Sequence, residues 1–175
     1  MLKAVLVTEE NVAILGAVHA RAWCAIHGGI ADGDYYRAFT PERQTALFRQ
    51  AIAAGTERPY LLQDGEEVIG FFSLGPEAEK GEPGLLDKLY LLPEYCGKGY
   101  GRQAMDLALQ LLNCPEVILW VLRDNRRARH FYERYGYEYD GVTQPVAPGA
   151  PVEEMRYRLR YPCWKGGGMC EAKDA

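Results

Sequence analysis

The pattern of apolar and polar positions predicts one strand and two helices in the N-terminal third of the chain. An apolar run, Ala4–Val7, is followed by Thr8, a good helix cap, so we expect a strand and then a helix that ends near His27. The apolar positions of this helix recur at helical spacing: Leu15, Val18, Ala22 and Ala25. Thr40-Pro41-Glu42 combines a cap with proline at the first helical position, which predicts a second helix to about Ala54.

Apolar runs separated by turn residues predict three strands in the middle of the chain. Pro59–Gln63 and Val68–Leu74 are joined by Asp64-Gly65, a dipeptide typical of tight hairpins. The following segment, residues 75–84, is rich in proline and glycine and is interpreted as a loop. Leu85–Leu92 predicts the third of these strands.

The second half of the chain predicts helices and strands in alternation. We expect a third helix over residues 99–112, a buried strand at Val117–Leu122 and a fourth helix that Asn125 caps and Gly136 ends. The third helix should bury one stripe of residues: Ala104, Leu107, Ala108 and Leu111. Two more strands are predicted, at residues 137–142 and 154–161, with a loop at 144–151 between them.

The resulting order is β-α-α-β-β-β-α-β-α-β-β, which predicts an α/β fold. Hairpins dominate its first half and a parallel crossover its second, so the central sheet should be mixed, with about seven strands flanked by about four helices. We interpret residues 1–161 as a single domain and residues 162–175 as a flexible tail.

Composition narrows the class of protein. The formal net charge of −4 argues against nucleic acid as the main partner. The five cysteines are widely spaced and lack a Cys-x-x-Cys pair, so neither a disulfide framework nor a metal site is expected. There is no apolar stretch of signal-peptide or membrane-spanning length, and we therefore expect a cytoplasmic protein that does not bind membranes.

The glycine-rich turn Gly97-Lys98-Gly99-Tyr100-Gly101 stands between a predicted strand and a predicted helix. Glycines allow close approach of backbone N–H groups to a ligand, and a helix N-terminus favours negative charge. The turn lacks the Lys-Ser/Thr of a P-loop and the third glycine of a dinucleotide fingerprint. A phosphate-bearing ligand is the hypothesis, and a plain tight connection is the alternative.

Two motifs together resemble the GNAT superfamily of acetyl-coenzyme-A-dependent N-acetyltransferases. The first, LYLLPEYCGKGYG, is similar to that family's strand, Pro-Glu-Tyr linker and pyrophosphate loop. The second, WVLRDNRRARHFYERYGY, is similar to its strand, asparagine and Ala-x-x-Phe-Tyr-Glu helix. Cys96 departs from the pattern, because the family usually has Gln or Arg there. We interpret it as a tolerated small residue, and an oxidisable thiol near the cofactor is the alternative.

The resemblance implies acetyl-CoA as co-substrate and assigns residues to it. Leu89 and Leu91 would pair with the pantetheine arm through their backbones, and the Leu91 N–H would also stabilise the oxyanion. Backbone N–H groups from Gly97 to Arg102 would hold the pyrophosphate. Asn125 would contact the pantetheine or serve as a plain helix cap. The full cofactor set is Leu89, Tyr90, Leu91, Gly97, Lys98, Gly99, Tyr100, Gly101, Arg102, Asn125, Ala128, Phe131 and Tyr132.

Tyr132 is the catalytic residue that the resemblance implies, as the acid that protonates the departing thiolate. By its position alone it would be a core aromatic. The acceptor amine must also lose a proton, since an amine of pKa near 10 is neutral in about one molecule in a thousand at pH 7. Asp87 and Glu82 are the candidate bases, with His27 a further one.

The acceptor is expected to be a primary amine of a small molecule or peptide, attacked directly by a ternary-complex mechanism. Trp23, His27, Tyr35 and Tyr90 are the candidate lining residues, and His19 falls on the same stripe of the first helix as Trp23 and His27. The alternative is that Trp23 packs at the edge of the core and the histidines are solvated. The protein should be a monomer or a homodimer. A non-catalytic acyl-CoA-binding module is the main alternative, and a nucleotide-binding domain without acyl chemistry is a weaker one.

Overall fold

A computed structural model describes residues 1–27, 39–146 and 152–161. Its regular elements, in chain order, are β1 (Leu2–Leu6), α1 (Val12–His27), α2 (Pro41–Ala53), β2 (Arg58–Asp64), β3 (Glu67–Leu74), β4 (Gly84–Leu91), α3 (Tyr100–Leu112), β5 (Glu116–Leu122), α4 (Arg126–Tyr135), β6 (Glu138–Pro145) and β7 (Glu153–Arg160). A single 3₁₀ turn, Pro93–Tyr95, follows β4. Among these helices, none combines the length and the apolar content that crossing a membrane requires.

The strands form one hydrogen-bonded sheet in the order β1-β2-β3-β4-β5-β7-β6. β4 and β5 run parallel, whereas β1–β2, β2–β3, β5–β7 and β6–β7 are antiparallel. The prediction of an α/β fold with a mixed seven-stranded sheet and four helices is therefore confirmed within the described residues. The polar and aromatic segment 30–39, for which the sequence predicts a loop or a short helical turn, lies outside the described residues except for Phe39, and the predicted tail lies wholly outside them.

The chain divides into two compact units, and the first comprises Met1–Pro76 and Asp87–Ala108. Its strands β1, β2 and β3 pair in sequence, and α1 and α2 cover them with apolar side chains. The core of this unit contains Val7, Val12, Leu15, Val18, Ala22, Phe48, Leu61, Phe71 and Leu92.

The second unit comprises Glu77–Leu86 and Leu109–Ala175. Its parallel ladder is short, because β4 contributes only Gly84 to Leu86, opposite Val117 to Leu119 of β5. β7 then pairs along the whole of β5. Tyr157 of β7 is fully buried, and its hydroxyl donates to Glu133 Oε1 of α4 at 2.7 Å and accepts from Arg129 Nε at 3.1 Å.

The predicted start of α1 is wrong by one turn. Thr8 does not cap the helix; its N–H donates instead to Asn11 Oδ1 at 2.8 Å, and the helix begins at Val12. Two predicted core positions are also wrong, since Ala25 is exposed and Leu111 is 42% exposed. In α3 the buried stripe instead consists of Ala104, Met105, Ala108, Leu109 and Leu112, while Leu107 is half-buried.

Strand β6 is longer than predicted. It continues through Gln144 and Pro145, which face Glu154 and Glu153 of β7, so the predicted loop begins later than Gln144. Gln144 Nε2 also donates to Glu154 Oε1 at 2.6 Å. Proline is compatible with this strand because β6 lies at the edge of the sheet, where a missing N–H interrupts no second ladder.

Gly16 is where α1 approaches α2 most closely. A β-carbon at this position would lie 2.0 Å from Thr45 Oγ1 and 2.6 Å from the carbonyl oxygen of Pro41, so the helices would have to separate. We expect Gly16→Ala to lower the free energy of unfolding by about 1–3 kcal/mol, because overpacking outweighs the gain in helix propensity. Urea denaturation measures this loss, with Ala17→Ser on the exposed side of α1 as control. An increase in stability for Gly16→Ala would contradict this packing.

Candidate active site

The glycine turn between β4 and α3 has a backbone suited to binding an anion. Gly97 and Gly99 have φ angles of 75° and 85°, and a β-carbon on either would meet no atom within 4 Å. The positive φ, rather than crowding, therefore requires glycine at these two positions. α3 begins directly afterwards at Tyr100, and the N–H groups of a helix's first turn have no carbonyl partner within the helix and carry partial positive charge.

Two tyrosines anchor this turn to the hairpin between β2 and β3. Tyr100 Oη donates to Asp64 Oδ2 at 2.6 Å, and Tyr95 Oη donates to Glu67 Oε2 at 2.7 Å. The bond from Tyr100 lowers the pKa of Asp64, and the same bond raises the pKa of Tyr100. Sequence reasoning missed both acidic partners, because nothing local links the hairpin to residues that lie 28 and 36 positions away along the chain.

The charged side chains of the turn are exposed, whereas its cysteine is half-buried. Lys98 and Arg102 are exposed, and the Lys98 ammonium lies 5.7 Å from the centre of the Tyr95 ring. Cys96 is half-buried, and its Sγ lies 3.6 Å from the carbonyl oxygen of Leu92. The thiol therefore acts as a weak donor to the backbone at the end of β4, as befits a small structural residue.

The predicted cofactor residues of β4 lie beyond the three residues of its parallel ladder. Leu89, Tyr90 and Leu91 are half-buried, and the backbone then turns at Leu92, whose N–H donates to the Ile69 carbonyl at 2.9 Å. The ring of Tyr90 stacks on Phe71 with 5.4 Å between centroids. Tyr90 is thus held by packing, and its backbone is positioned by the strand.

Asn125 is a helix cap. Its Oδ1 accepts from the Ala128 N–H at 3.1 Å, and its backbone N–H donates to the Leu122 carbonyl at 2.9 Å. The predicted helix cap is therefore confirmed, since the side chain satisfies an N–H at the start of α4, and a contact with the pantetheine stays a prediction. Ala128 and Phe131 are half-buried on the same helix.

Tyr132 lies in the middle of α4 and is 9% exposed. Its ring makes edge contacts with Phe131 at 5.4 Å and with Tyr137 at 5.9 Å. Burial raises the pKa of Tyr132 to about 12, because a phenolate would be poorly solvated there. The phenol therefore keeps its proton throughout the physiological pH range, as a proton donor must.

Asp87, one of the two predicted bases, is part of an ionic cluster. Lys88 contacts the Asp87 carboxylate and also donates to Glu57 Oε1 at 2.9 Å, while Ser73 Oγ donates to Glu57 Oε2 at 2.8 Å. Burial alone would lower the pKa of Lys88, but Asp87 and Glu57 outweigh this and raise it. Glu82, the other candidate, is exposed two residues before β4.

A cavity of about 450 Å³ adjoins this cluster in the first unit. Much of its wall comes from α2 and the residues that follow it, with His19 and Lys88 completing it. The lining residues are His19, Gln44, Leu47, Phe48, Gln50, Ala51, Ala54, Thr56, Glu57 and Lys88. Sequence reasoning identified His19, which shares a stripe of α1 with Trp23 and His27, but none of the others. The Glu57–Lys88 pair has no local signature, because the two residues are 31 positions apart and neither belongs to a motif.

The predicted acceptor residues of α1 have separate environments. Trp23 is half-buried and stacks on Phe39 with 4.3 Å between centroids, in agreement with a place at the edge of the core. His19 is only 5% exposed and is surrounded by the rings of Phe39, Phe48, Phe71 and Tyr90, so solvated histidines were the wrong expectation there. Tyr35 and the side chain of His27 lie outside the described residues.

The described residues contain no cluster of three or more His, Cys, Asp or Glu side chains with the geometry to hold a metal ion.

Comparison with known proteins shows the family. The model of the Acetyltransferase (GNAT) family matches residues 29–137, which is more than half of the chain. The chain belongs to the GNAT acetyltransferase family, and the family prediction made from the two motifs is confirmed.

The sequence identity to two individual relatives is below 30%. A protein named "Probable N-acetyltransferase" from Mycobacterium tuberculosis is 28% identical over 114 residues, 64% of this chain and 66% of that protein. Spermidine N(1)-acetyltransferase from Vibrio cholerae is 28% identical over 120 residues, 66% of this chain and 64% of that enzyme. The chain thus spans just under two thirds of the length of these two curated relatives.

Solved structures support the fold. The crystal structure of PaiA N-acetyltransferase from Thermoplasma acidophilum, in complex with coenzyme A, has a TM-score of 0.69 to this chain at 20% identity. The likeness covers 92% of this chain and 99% of that one. It shows that the arrangement of strands and helices is the one that GNAT proteins share.

Proposed function

We propose that this protein is an N-acetyltransferase that transfers an acetyl group from acetyl-CoA to a primary amine of a small molecule or peptide. The observation that carries the proposal is the glycine turn at the start of α3, in a chain of the GNAT family. The names of relatives, including a spermidine N(1)-acetyltransferase, support an amine as acceptor. Cytoplasmic location and a monomeric or homodimeric state remain predictions from the sequence.

The residues of the turn fit a diphosphate. The positive φ values of Gly97 and Gly99 orient successive backbone N–H groups, and the first turn of α3 adds its own. We propose that N–H groups from Gly97 to Arg102 hold the pyrophosphate of acetyl-CoA, with Lys98 and Arg102 adding positive charge. Leu89 and Leu91 lie on β4 beyond its parallel ladder, which supports backbone pairing with the pantetheine arm.

The remaining predicted contacts concern α4. Asn125 acts through its cap, which fixes the start of the helix that carries Ala128, Phe131 and Tyr132. Acetyl-CoA supplies the activated acetyl group, and the Leu91 N–H is proposed to donate to its carbonyl oxygen as negative charge builds there. The buried phenol of Tyr132 is proposed to donate its proton to the departing sulfur.

A base must remove the proton of the acceptor amine. At pH 7, deprotonating an amine whose pKa is near 10 costs about 4 kcal/mol. Asp87 and Glu82 remain the proposed candidates. Asp87 is engaged with Lys88, whereas Glu82 is exposed, and we propose that the proton passes to one of these carboxylates directly or through water.

Release of free CoA thiol tests the proposal. The protein is mixed with acetyl-CoA and a panel of primary amines, and thiol release is followed against a control without amine. Amine-dependent release is expected. Tight binding of acetyl-CoA by calorimetry, without turnover across the panel, would instead favour a non-catalytic acyl-CoA-binding module.

The order of the steps gives a separate prediction. No Cys–His pair is recognisable in the sequence as an acyl-enzyme nucleophile, which supports direct attack in a ternary complex. Initial velocities measured while both substrates are varied should therefore give intersecting double-reciprocal lines. Parallel lines, the mark of a covalent acyl-enzyme, would contradict direct attack.

A further inference from the structure

We infer that the cavity beside α2 binds the acceptor, and that it takes a primary amine with a single positive charge and an apolar body. This inference rests on the proposed function, which requires an amine site. The cavity has a volume of about 450 Å³, within the range of small-molecule sites. Nothing in the motifs pointed to it.

The charge of the ionic cluster favours a cationic ligand. The ionic cluster combines the carboxylates of Glu57 and Asp87 with the ammonium of Lys88, so it carries a net charge of −1. Glu57 lines the cavity and is only 20% exposed at its side chain. Among the described lining residues Glu57 supplies the carboxylate and Lys88 the ammonium, and Asp87, which does not line the cavity, pairs with the same ammonium. An anionic ligand would therefore meet an ammonium that is already paired with two carboxylates, whereas a cation would meet the Glu57 carboxylate in a cluster of net negative charge.

The Glu57 carboxylate has the capacity to accept further hydrogen bonds. Glu57 accepts from Lys88 on Oε1 and from Ser73 on Oε2. A carboxylate has about four lone-pair sites, so each oxygen retains capacity for a further donor. Lys88 and Ser73 hold the carboxylate in place, and an incoming ammonium would find it already oriented.

The apolar residues that line the cavity favour a ligand whose amine is attached to an apolar group. Leu47, Phe48, Ala51 and Ala54 supply an apolar surface along α2. Such a surface favours an alkyl or aryl chain attached to the amine. The described residues that line the cavity include one carboxylate, so the second and third ammonium groups of a polyamine would be left without an acidic partner there.

One residue that lines the cavity, Lys88, belongs to the strand proposed to hold the cofactor. Lys88 directly precedes Leu89, about 3.3 Å further along β4. His19, which also lines the cavity, has its ring 5.2 Å from that of Tyr90. Both links lie within the first unit, so the acceptor cavity and the pantetheine-pairing residues share one strand.

The test compares two amines and three variants. Hexylamine carries one charge and spermidine three, and acetyl transfer to each is followed with saturating acetyl-CoA. The wild-type protein should have the lower KM for hexylamine. Glu57→Gln should raise that KM at least about tenfold, because a charge-assisted hydrogen bond is lost, while the KM for acetyl-CoA stays unchanged.

A second variant, which is expected to gain affinity for spermidine, keeps the proposal testable if Glu57→Gln does not fold. Leu47 is 48% exposed at the edge of the cavity, so Leu47→Glu adds a carboxylate with little disturbance and should lower the KM for spermidine several-fold. Leu111→Glu, at a position 42% exposed on α3, is the matched control and should leave both KM values unchanged. If Leu47→Glu behaves like Leu111→Glu, the cavity is not the acceptor site.

The outcomes separate this inference from the proposed function. Acetyl transfer with Glu57→Gln and Leu47→Glu both equal to the wild type would overturn the cavity assignment and leave the function standing. A wild-type preference for spermidine would overturn the single-charge argument. If no amine is acetylated, yet calorimetry shows hexylamine binding that Glu57→Gln weakens, the site stands and the proposed function fails.

Discussion

Tyr132→Phe is expected to lower kcat by about 10²–10⁴-fold, the usual contribution of a positioned proton donor. The ring would still fill its place against Phe131 and Tyr137, so only the hydroxyl is lost. Because the hydroxyl acts on charge that develops during the reaction, the KM for acetyl-CoA should change by no more than about twofold. Steady-state kinetics on the two proteins measures both quantities.

Tyr135→Phe is the matched control, since it removes a phenol hydroxyl from the same helix and should leave kcat near the wild-type value. Tyr135 is half-buried and its ring lies 6.4 Å from that of Phe131. Wild-type turnover in Tyr132→Phe would contradict the assignment. So would an equal loss in both variants, which would indicate a general effect on α4.

The pH profile gives an independent check on Tyr132. Burial raises the pKa of Tyr132 to about 12, so the required protonated form persists until the pH approaches that value. The kcat profile should rise with pH as the amine and its base lose protons, and it should show no falling limb assignable to Tyr132 below about pH 11. A falling limb near pH 9 that disappears in Tyr132→Phe would contradict the structure.

The same pKa limits how far the proton moves. A thiol has a pKa near 8.5, well below the pKa of about 12 that burial gives the Tyr132 phenol, so proton transfer to the thiolate is uphill. We propose that the Tyr132 hydroxyl first donates a hydrogen bond to the sulfur as negative charge develops there. Complete protonation follows as the thiolate leaves or meets water.

Gly99→Val is expected to weaken acetyl-CoA binding by about 10- to 100-fold. Gly99 has a φ of 85°, and forcing a β-branched residue into that region costs about 1–3 kcal/mol. The loop would relieve this strain by rotating its N–H groups away from the orientation that binding needs. Calorimetric titration with CoA measures the change in affinity.

The control for Gly99→Val is Gly141→Val, where φ is 89° and a β-carbon also meets no atom within 4 Å. Both variants carry similar backbone strain, and Gly141 lies in β6, outside the residues proposed to bind the cofactor. Unchanged CoA affinity is expected for Gly141→Val. If Gly99→Val bound CoA as tightly as the control, the turn would not be the pyrophosphate site.

Features encoded within a few neighbouring residues were predictable from the sequence. Asn125 caps α4, and Gly136 ends it with a φ of 114°, because a cap depends on one side chain and the next turn of backbone. The same is true of the glycines before α3. The backbone conformations of these glycines are set by neighbouring residues and do not depend on distant packing.

Features that depend on distant contacts were not predictable. Periodicity placed Leu111 on the buried face of α3, but burial is decided by what lies opposite, and Met105, Leu109 and Leu112 are buried instead. Likewise His19 looked like a polar position of α1 until four aromatic rings were found around it. The Glu57–Lys88 pair joins residues 31 positions apart and has no local signature.

Transfer of a labelled acetyl group to an amine is the decisive test of acetyltransferase activity. Acetyl-CoA that carries ¹³C in its acetyl group is incubated with the protein and hexylamine, and the amine product is examined by mass spectrometry. We expect labelled N-acetylhexylamine in amounts equal to the thiol released, and less of both in Tyr132→Phe. Thiol release without labelled amide would show hydrolysis rather than transfer to an amine, and would contradict the proposed function.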